Sequence, residues 1–447
     1  MRLHEVAQLT DLVDTHGSPC YVHRLDRIRT AAAELRAAIP ADAELFYSLK
    51  ANPHPLVVEQ LTHLGLRAEV SSTGELRTAL AAGQRPDKVL YTGPGKTPAE
   101  VSEAIASGVE LFSVESVTDY RRVADLAEDA GTHVRCLARV NASQATASPG
   151  LRMSGTPSQF GTDLDRIGEL RHPDRDRFAP LIGCHLFSAT NIADGDALAR
   201  EFTVGAQAAA QAARSLGIEP SLVDLGGGFG SPFARPGPRS AYPRLRAALT
   251  GLLDAEFPSW RTGAVRPAFE SGRFLTGESG TLLCTVLDVK QSRDRTYVVL
   301  DAGTNVLGGY SGLGRLLPPR ARPTVLSTPG PLGEPRPLDL VGPLCTPADV
   351  LARAVTMPVP PPGSVLAIPN VGAYGLTAAL TGFLSRPLPA VVVLDGDSEA
   401  PAGPPERHYL ESPPPVVSPS HRGPSDRKPA PSDRIHYSAI VCIRNSC

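Results

Sequence analysis

From about residue 28 to residue 265 the chain alternates amphipathic stretches with short apolar runs. Ile28–Ala38 places apolar side chains at helical spacing, and Ala43–Leu49 is an extended apolar run. Pro55–Leu64 reads as helix and Arg67–Val70 as strand. The cycle repeats through Leu76–Ala82, Val89–Tyr91, Pro98–Ser107, Leu111–Val114, Val117–Ala130 and Val134–Val140. It continues through Leu181–His185, Asp196–Leu216 and Leu222–Leu225. Strands separated by helices predict a parallel sheet, because parallel neighbours need a crossover between them. So many units favour closure into a (β/α)8 TIM-like barrel over an open doubly wound sheet.

Beyond residue 265 the texture changes. Thr281–Val289, Thr296–Asp301, Val365–Ile368 and Ala390–Leu394 read as strands between Gly/Pro turns, which predicts a mainly β second domain over 266–396. The Pro-rich stretch Arg315–Pro337 reads as a long loop within it. Residues 397–447 are rich in Pro, Ser, Arg and Asp and bury too little apolar surface to offset their ordering entropy, so a disordered tail is expected there.

Bulk properties exclude several functions. At 447 residues two domains are expected. The 44 basic residues nearly balance the 46 acidic ones, which points to neither a nucleic-acid nor a membrane partner. No apolar run approaches a bilayer span, and the opening Met-Arg-Leu-His-Glu-Val lacks a secretion signal's apolar core. Seven cysteines are scattered without a Cys-x-x-Cys pair, arguing against a metal site or a disulfide framework and for a cytoplasmic setting.

Residues 46–53, Phe-Tyr-Ser-Leu-Lys-Ala-Asn-Pro, deliver Lys50 to the end of a strand in apolar company. A lone lysine there is ordinarily solvated, but a desolvated one is a ready Schiff-base nucleophile. Five further segments fit amine chemistry: Gly183-Cys184-His185-Leu186-Phe187-Ser188; Val-Asp-Leu-Gly-Gly-Gly-Phe-Gly at 223–230; Ala-Phe-Glu-Ser-Gly-Arg-Phe-Leu at 268–275; Gly-Pro-Leu-Cys-Thr-Pro-Ala-Asp at 342–349; and Asn-Val-Gly-Ala-Tyr at 370–374. In this order they resemble the pyridoxal-phosphate decarboxylases of the alanine-racemase-like fold, the family of diaminopimelate and ornithine decarboxylases, from about residue 18 to residue 396.

That resemblance implies that residues 1–27 join the β domain and that Lys50 carries pyridoxal 5'-phosphate. Gly226, Gly227 and Gly228, with Ser188, Arg273 and Tyr374, would hold the phosphate, for which unhindered N–H groups and a guanidinium fork are apt. His185 would stack on the ring, Arg139 would lie under it, and Glu270 would keep its nitrogen protonated, the choice that favours decarboxylation over racemisation. Cys345 would cross a two-fold interface to protonate the carbanion, making the enzyme a homodimer with shared sites. Asp301, Thr346 and Asp349 would contact substrate.

The chain departs from the family at informative places. Thr346 replaces the acidic residue that follows the cysteine in diaminopimelate and ornithine decarboxylases, and Glu69 stands where aspartate is usual. Residues 304–310 lack the arginine that holds diaminopimelate's carboxylates, leaving Arg315 or Arg320 as basic candidates. Leu-Cys-Thr-Pro-x-Asp and the Met153–Asp163 segment look most like decarboxylases of natural-product clusters, some of which act on a carrier-protein-bound amino acid. A specialised-metabolite amino-acid decarboxylase is therefore expected. The alternatives are diaminopimelate decarboxylase and a non-catalytic cofactor-binding regulator.

Overall fold

The computed structural model describes residues 3–142, 157–171, 177–309, 320–396 and 398–399. The strands Glu44–Ser48, Arg67–Val70, Val89–Tyr91, Leu111–Val114, Arg135–Asn141, Leu181–His185, Leu222–Asp224 and Arg266–Ser271 form a closed parallel barrel. Arg266–Ser271 pairs with Leu222–Asp224 on one side and Glu44–Ser48 on the other, which closes the ring. The barrel thus runs past residue 265, and the strand carrying Glu270 belongs to it rather than to the β domain. That strand's sequence is too short to declare its side; its two parallel neighbours decide it.

Local signals start and stop the outer helices where the sequence puts them. Ser72, Thr97, Ser116 and Asp194 each accept a backbone N–H three residues on, Thr97 with Glu100 as a reciprocal capping box. The long helix Gly195–Leu216 ends at Gly217, whose φ of 67° suits a residue without Cβ. Helix faces bury Ile28, Leu35, Val101, Val123 and Phe202 against the barrel's outside.

Inside the barrel, side chains alternate with period two along each strand. Phe46, Leu90, Leu111, Leu137, Leu222 and Ala268 pack together as an apolar plug. Two residues further along the same strands stand Ser48, Thr92, Ser113, Arg139, Asp224 and Glu270, so the layer nearer the C-terminal mouth is polar.

The second domain is mainly β. Cys20–Arg24 lies between Gly280–Ser292, antiparallel, and Ala390–Asp395, parallel, so the N-terminal segment joins this domain. Arg295–Leu300, Gly333–Val341, Val350–Val359 and Val365–Pro369 extend the sheet. The loop expected over Arg315–Pro337 contains the strand Thr324–Ser327 and the start of Gly333–Val341; prolines fit there because many of those positions are exposed. Within the expected tail, Ser398–Glu399 pairs with Leu394–Asp395, and residues 401–447 lie outside the described ones. Among the described residues no helix is long and apolar enough to cross a membrane.

The barrel's closure leaves no room at Gly183, where a Cβ would lie 1.7 Å from the Leu222 carbonyl oxygen. Gly183→Ala is therefore expected to cost more than the ~1–3 kcal/mol usual for core overpacking, read as lost soluble protein or a collapsed urea midpoint. Unchanged unfolding would contradict the strand spacing.

Candidate active site

Lys50 sits in the single 3-10 turn Leu49–Ala51 that follows the strand Glu44–Ser48. The β domain clamps this turn: Tyr374 N–H donates to Ala51 O at 2.8 Å, and Asn52 Nδ2 donates to Gly372 O at 2.9 Å. Lys50 Nζ donates to both Glu69 oxygens at 2.9 Å, while its side chain stays 40 % exposed toward the cavity. Desolvation, the largest influence, pulls the Lys50 pKa down. The negative charge of Glu69, helped by Glu270 and Tyr374, outweighs it and leaves the pKa raised. Thr92 Oγ1 also donates to Glu69 at 2.5 Å, so Glu69 acts as a fixed partner for the lysine.

The cavity beside Lys50 is lined by Ser48, Phe187, Thr190, Gly228, Phe229, Glu270, Ser271, Gly272, Arg273 and Tyr374. It therefore gathers residues from the lysine, glycine, Glu-x-x-Arg and tyrosine segments. At one end, Glu270 is 1 % exposed, and His185 Nε2 stands 2.8 Å from its Oε1. Burial, with Asp224 close by, raises the Glu270 pKa although Lys50 and Arg139 oppose it. His185 is itself held neutral, its pKa lowered first by burial and then by Arg139. Arg139 Nη1 lies 2.9 and 3.2 Å from the two ring nitrogens, and Ser113 Oγ is 2.7 Å from Nδ1.

At the other end, the Arg273 guanidinium lies 4.9 Å over the Tyr374 ring, with Nε buried and without a hydrogen-bond partner. Burial lowers its pKa against the pull of Tyr374. The glycine run is shaped by close approach. A Cβ on Gly226 would lie 2.2 Å from Leu186 O, and one on Gly227 2.5 Å from Glu270 O. Gly228 lines the cavity itself.

Other expected site residues stand elsewhere. The residues lining the cavity on this side are Phe187 and Thr190, which flank Ser188. Asp349 is 3 % exposed and occupied by its own chain, accepting from Thr304 N, Thr304 Oγ1 and Leu344 N. It anchors the loop bearing Cys345 through both of its oxygens. Asp301 accepts from Ser18 Oγ and Thr285 N, which likewise turns it inward. Thr346 Oγ1 accepts the Ala348 N–H and so closes its own turn. Cys345 is exposed in the single chain, whereas Cys20, Cys136, Cys184 and Cys284 are buried. Arg320 pairs with Ala352 in an isolated bridge, and Arg315 and Met153 lie outside the described residues. Sequence reasoning missed Asp224 and Ser113; their places two residues beyond Leu222 and Leu111, plug residues on inward-facing strands, would have found them.

Pyridoxal phosphate fits this cavity on the residues present. A buried carboxyl with undonated oxygens waits at one end, a guanidinium with an undonated Nε and a glycine run at the other, and a primary amine lies between. When bound, the group supplies an electron sink for charge left at a substrate's Cα. His185, Asp224 and Glu270 present ligand atoms within 4.8 Å of one another, a spacing that a shared proton or a cation would satisfy.

A barrel mouth with these features defines a pyridoxal-phosphate enzyme with a β-domain partner to its barrel. Residues 25–277 match the model for the pyridoxal-binding domain of pyridoxal-dependent decarboxylases, so the chain belongs to that family and is a carboxy-lyase using pyridoxal phosphate. It is 27 % identical over 394 residues to the L-glutamyl-[BtrI acyl-carrier protein] decarboxylase of Niallia circulans, covering 87 % of this chain and 91 % of that one. It is 28 % identical over 383 residues to a diaminopimelate decarboxylase of Helicobacter pylori, covering 84 % and 90 %. A crystal structure of the H. pylori diaminopimelate decarboxylase with L-lysine superposes with a TM-score of 0.77 at 25 % identity, over 88 % of this chain and 95 % of that one.

Asp349→Ala strips three donors of their acceptor. It is expected to destabilise by roughly 2–4 kcal/mol in urea titration. A loss under half that would show that the Cys345 loop holds without it.

Proposed function

We propose that this enzyme decarboxylates an amino acid whose far end is uncharged, as in an aminoacyl group tethered to a carrier protein in a specialised-metabolite pathway. The observation that carries this is that the acidic residues expected at the distal contacts are engaged within the chain, among the described residues. Thr346 is neutral, Asp349 and Asp301 are spent within the chain, and residues 304–309 hold no arginine. A free diaminopimelate or ornithine end would enter this region without a partner for its charge, at a desolvation penalty. A thioester would not. The likeness to an L-glutamyl-carrier decarboxylase supports the same choice. Diaminopimelate decarboxylase is the second reading, favoured by several relatives of that name at comparable identity.

In this reading Lys50 holds the cofactor covalently and Glu69 keeps the amine aligned. Arg273, Tyr374 and the backbone at Gly228 hold the phosphate, with Gly226 and Gly227 shaping the turn. Glu270 faces the ring nitrogen and His185 packs the ring, steadied by Ser113 and Arg139. Cys345 gives its proton to the substrate carbon of a partner copy. Its exposure supports this, as does a neighbouring apolar surface. Leu380, Phe383 and Leu384 are 45, 43 and 47 % exposed. Leu380 N–H bonds Thr304 O, and Arg386 Nη2 bonds Pro343 O, so this surface and the Cys345 loop share anchors. A homodimer would cover both. The buried free thiols suit a cytoplasmic setting. Retention of Lys50 and Cys345 together speaks against a non-catalytic regulator.

Lys50→Ala is expected to abolish the borohydride-trapped peptide adduct and all turnover; an adduct on another lysine would refute the assignment. Glu270→Gln should slow decarboxylation on the order of 10²-fold or more while the cofactor stays bound. Cys345→Ala should slow product formation by roughly 10²-fold, and mixing it with Lys50→Ala should restore activity that neither has alone. Substrate is tested with L-glutamyl thioesters of a loaded carrier protein and of N-acetylcysteamine, beside free L-amino acids and meso-diaminopimelate, by mass spectrometry. Turnover of free diaminopimelate with none of the thioesters would establish the second reading.

A further inference from the structure

Two buried carboxyls meet in the polar layer of the barrel with no donor between them. Asp224 and Glu270, 0 and 1 % exposed, end adjacent parallel strands. Asp224 Oδ1 accepts the Gly226 N–H at 2.8 Å and Glu270 Oε1 stands 2.8 Å from His185 Nε2, but Asp224 Oδ2 and Glu270 Oε2 lack a hydrogen-bond donor. Ionised carboxylates only accept, so two of them side by side in a dry site leave Asp224 Oδ2 and Glu270 Oε2 unsatisfied. One proton placed between them turns one into a donor and satisfies its neighbour.

The surrounding charges ask for the same proton. The further charges acting on Asp224 and Glu270 are Glu69, Lys50 and Arg139, and Glu115 acts on the adjoining His185. Two cations, Lys50 held by Glu69 and Arg139 against His185, thus face more carboxyls than they can balance. We propose that Asp224 and Glu270 jointly hold a single proton, and that this proton moves to the ring nitrogen of pyridoxal phosphate when the cofactor docks. The claim rests on the placement of Glu270 beside that nitrogen given above. One carboxyl O–H breaks, one ring N–H forms, and no electrons change hands. Asp224 thus acts as a positioning residue, acting through Glu270 and, by its bond to Gly226, tying the ring end of the site to the glycine run. Burial raises both carboxyl pKa values, and each further opposes ionisation of the other.

The test is a proton count. Full-length protein stripped of cofactor, treated with EDTA and assayed for bound metal, is titrated calorimetrically with pyridoxal phosphate at pH 8 in buffers of differing ionisation enthalpy. Asp224→Asn keeps an oxygen for Gly226 but holds no shared proton, so the ring must draw its proton from water. The variant is expected to take up about one more proton per site than wild type. Equal counts overturn the proposal, as does one tightly held metal ion per site in the untreated apoprotein. Should Asp224→Asn not fold, infrared difference spectra of wild type serve instead. A protonated-carboxyl band lost on adding cofactor supports the shared proton, and no such loss overturns it. Glu270→Gln separates the two levels: full decarboxylase activity in that variant removes the Glu270 assignment itself, whatever the count in Asp224→Asn.

Discussion

The site depends on one constraint: a closed parallel barrel must place charged side chains in its own interior. Period-two alternation gives six of the eight strands an apolar inward position and, two residues on, a polar or charged one nearer the mouth. Phe46, Leu90, Leu111, Leu137, Leu222 and Ala268 seal the floor against water. Above that floor stand Ser113, Arg139, His185, Asp224 and Glu270, in surroundings of low polarisability where each charge must be answered by a neighbour. Lys50 is paired with Glu69, Arg139 lies against His185, and Asp224 sits beside Glu270.

The second domain completes what the barrel starts. Its 370–374 loop bonds the backbone around Lys50, and its Tyr374 underlies the Arg273 guanidinium. The lysine turn is therefore held from both domains, and a movement of the β domain would displace Lys50 and Tyr374 together. Another loop of this domain, built on buried Asp349, carries an exposed thiol beside apolar surface. The rigid anchor and the outward thiol are two ends of one device: buried hydrogen bonds fix where Cys345 emerges.

Two acidic side chains of the β domain are engaged within the chain itself. Asp301 and Asp349 keep their carboxylates but spend them on Ser18, Thr285, Thr304 and Leu344. An acidic residue seen in a motif is thus no evidence of a substrate contact until its donors are known.

Local patterning was enough to read the helix–strand cycle, the glycine run and the lysine at a strand's end. Each follows from spacing, propensity or steric freedom within a few residues. Order along the chain was enough to group Lys50, Glu270, Arg273 and Tyr374 by resemblance. The closing strand Arg266–Ser271, the strands inside the Pro-rich stretch and the inward duties of Asp301 and Asp349 were not legible, because pairing partners far apart in sequence decide them. Asp224 shows the division most clearly. Its residue type and its step beyond Leu222 are written in the chain, but its partnership with Glu270, some 46 residues away, exists only once the barrel closes.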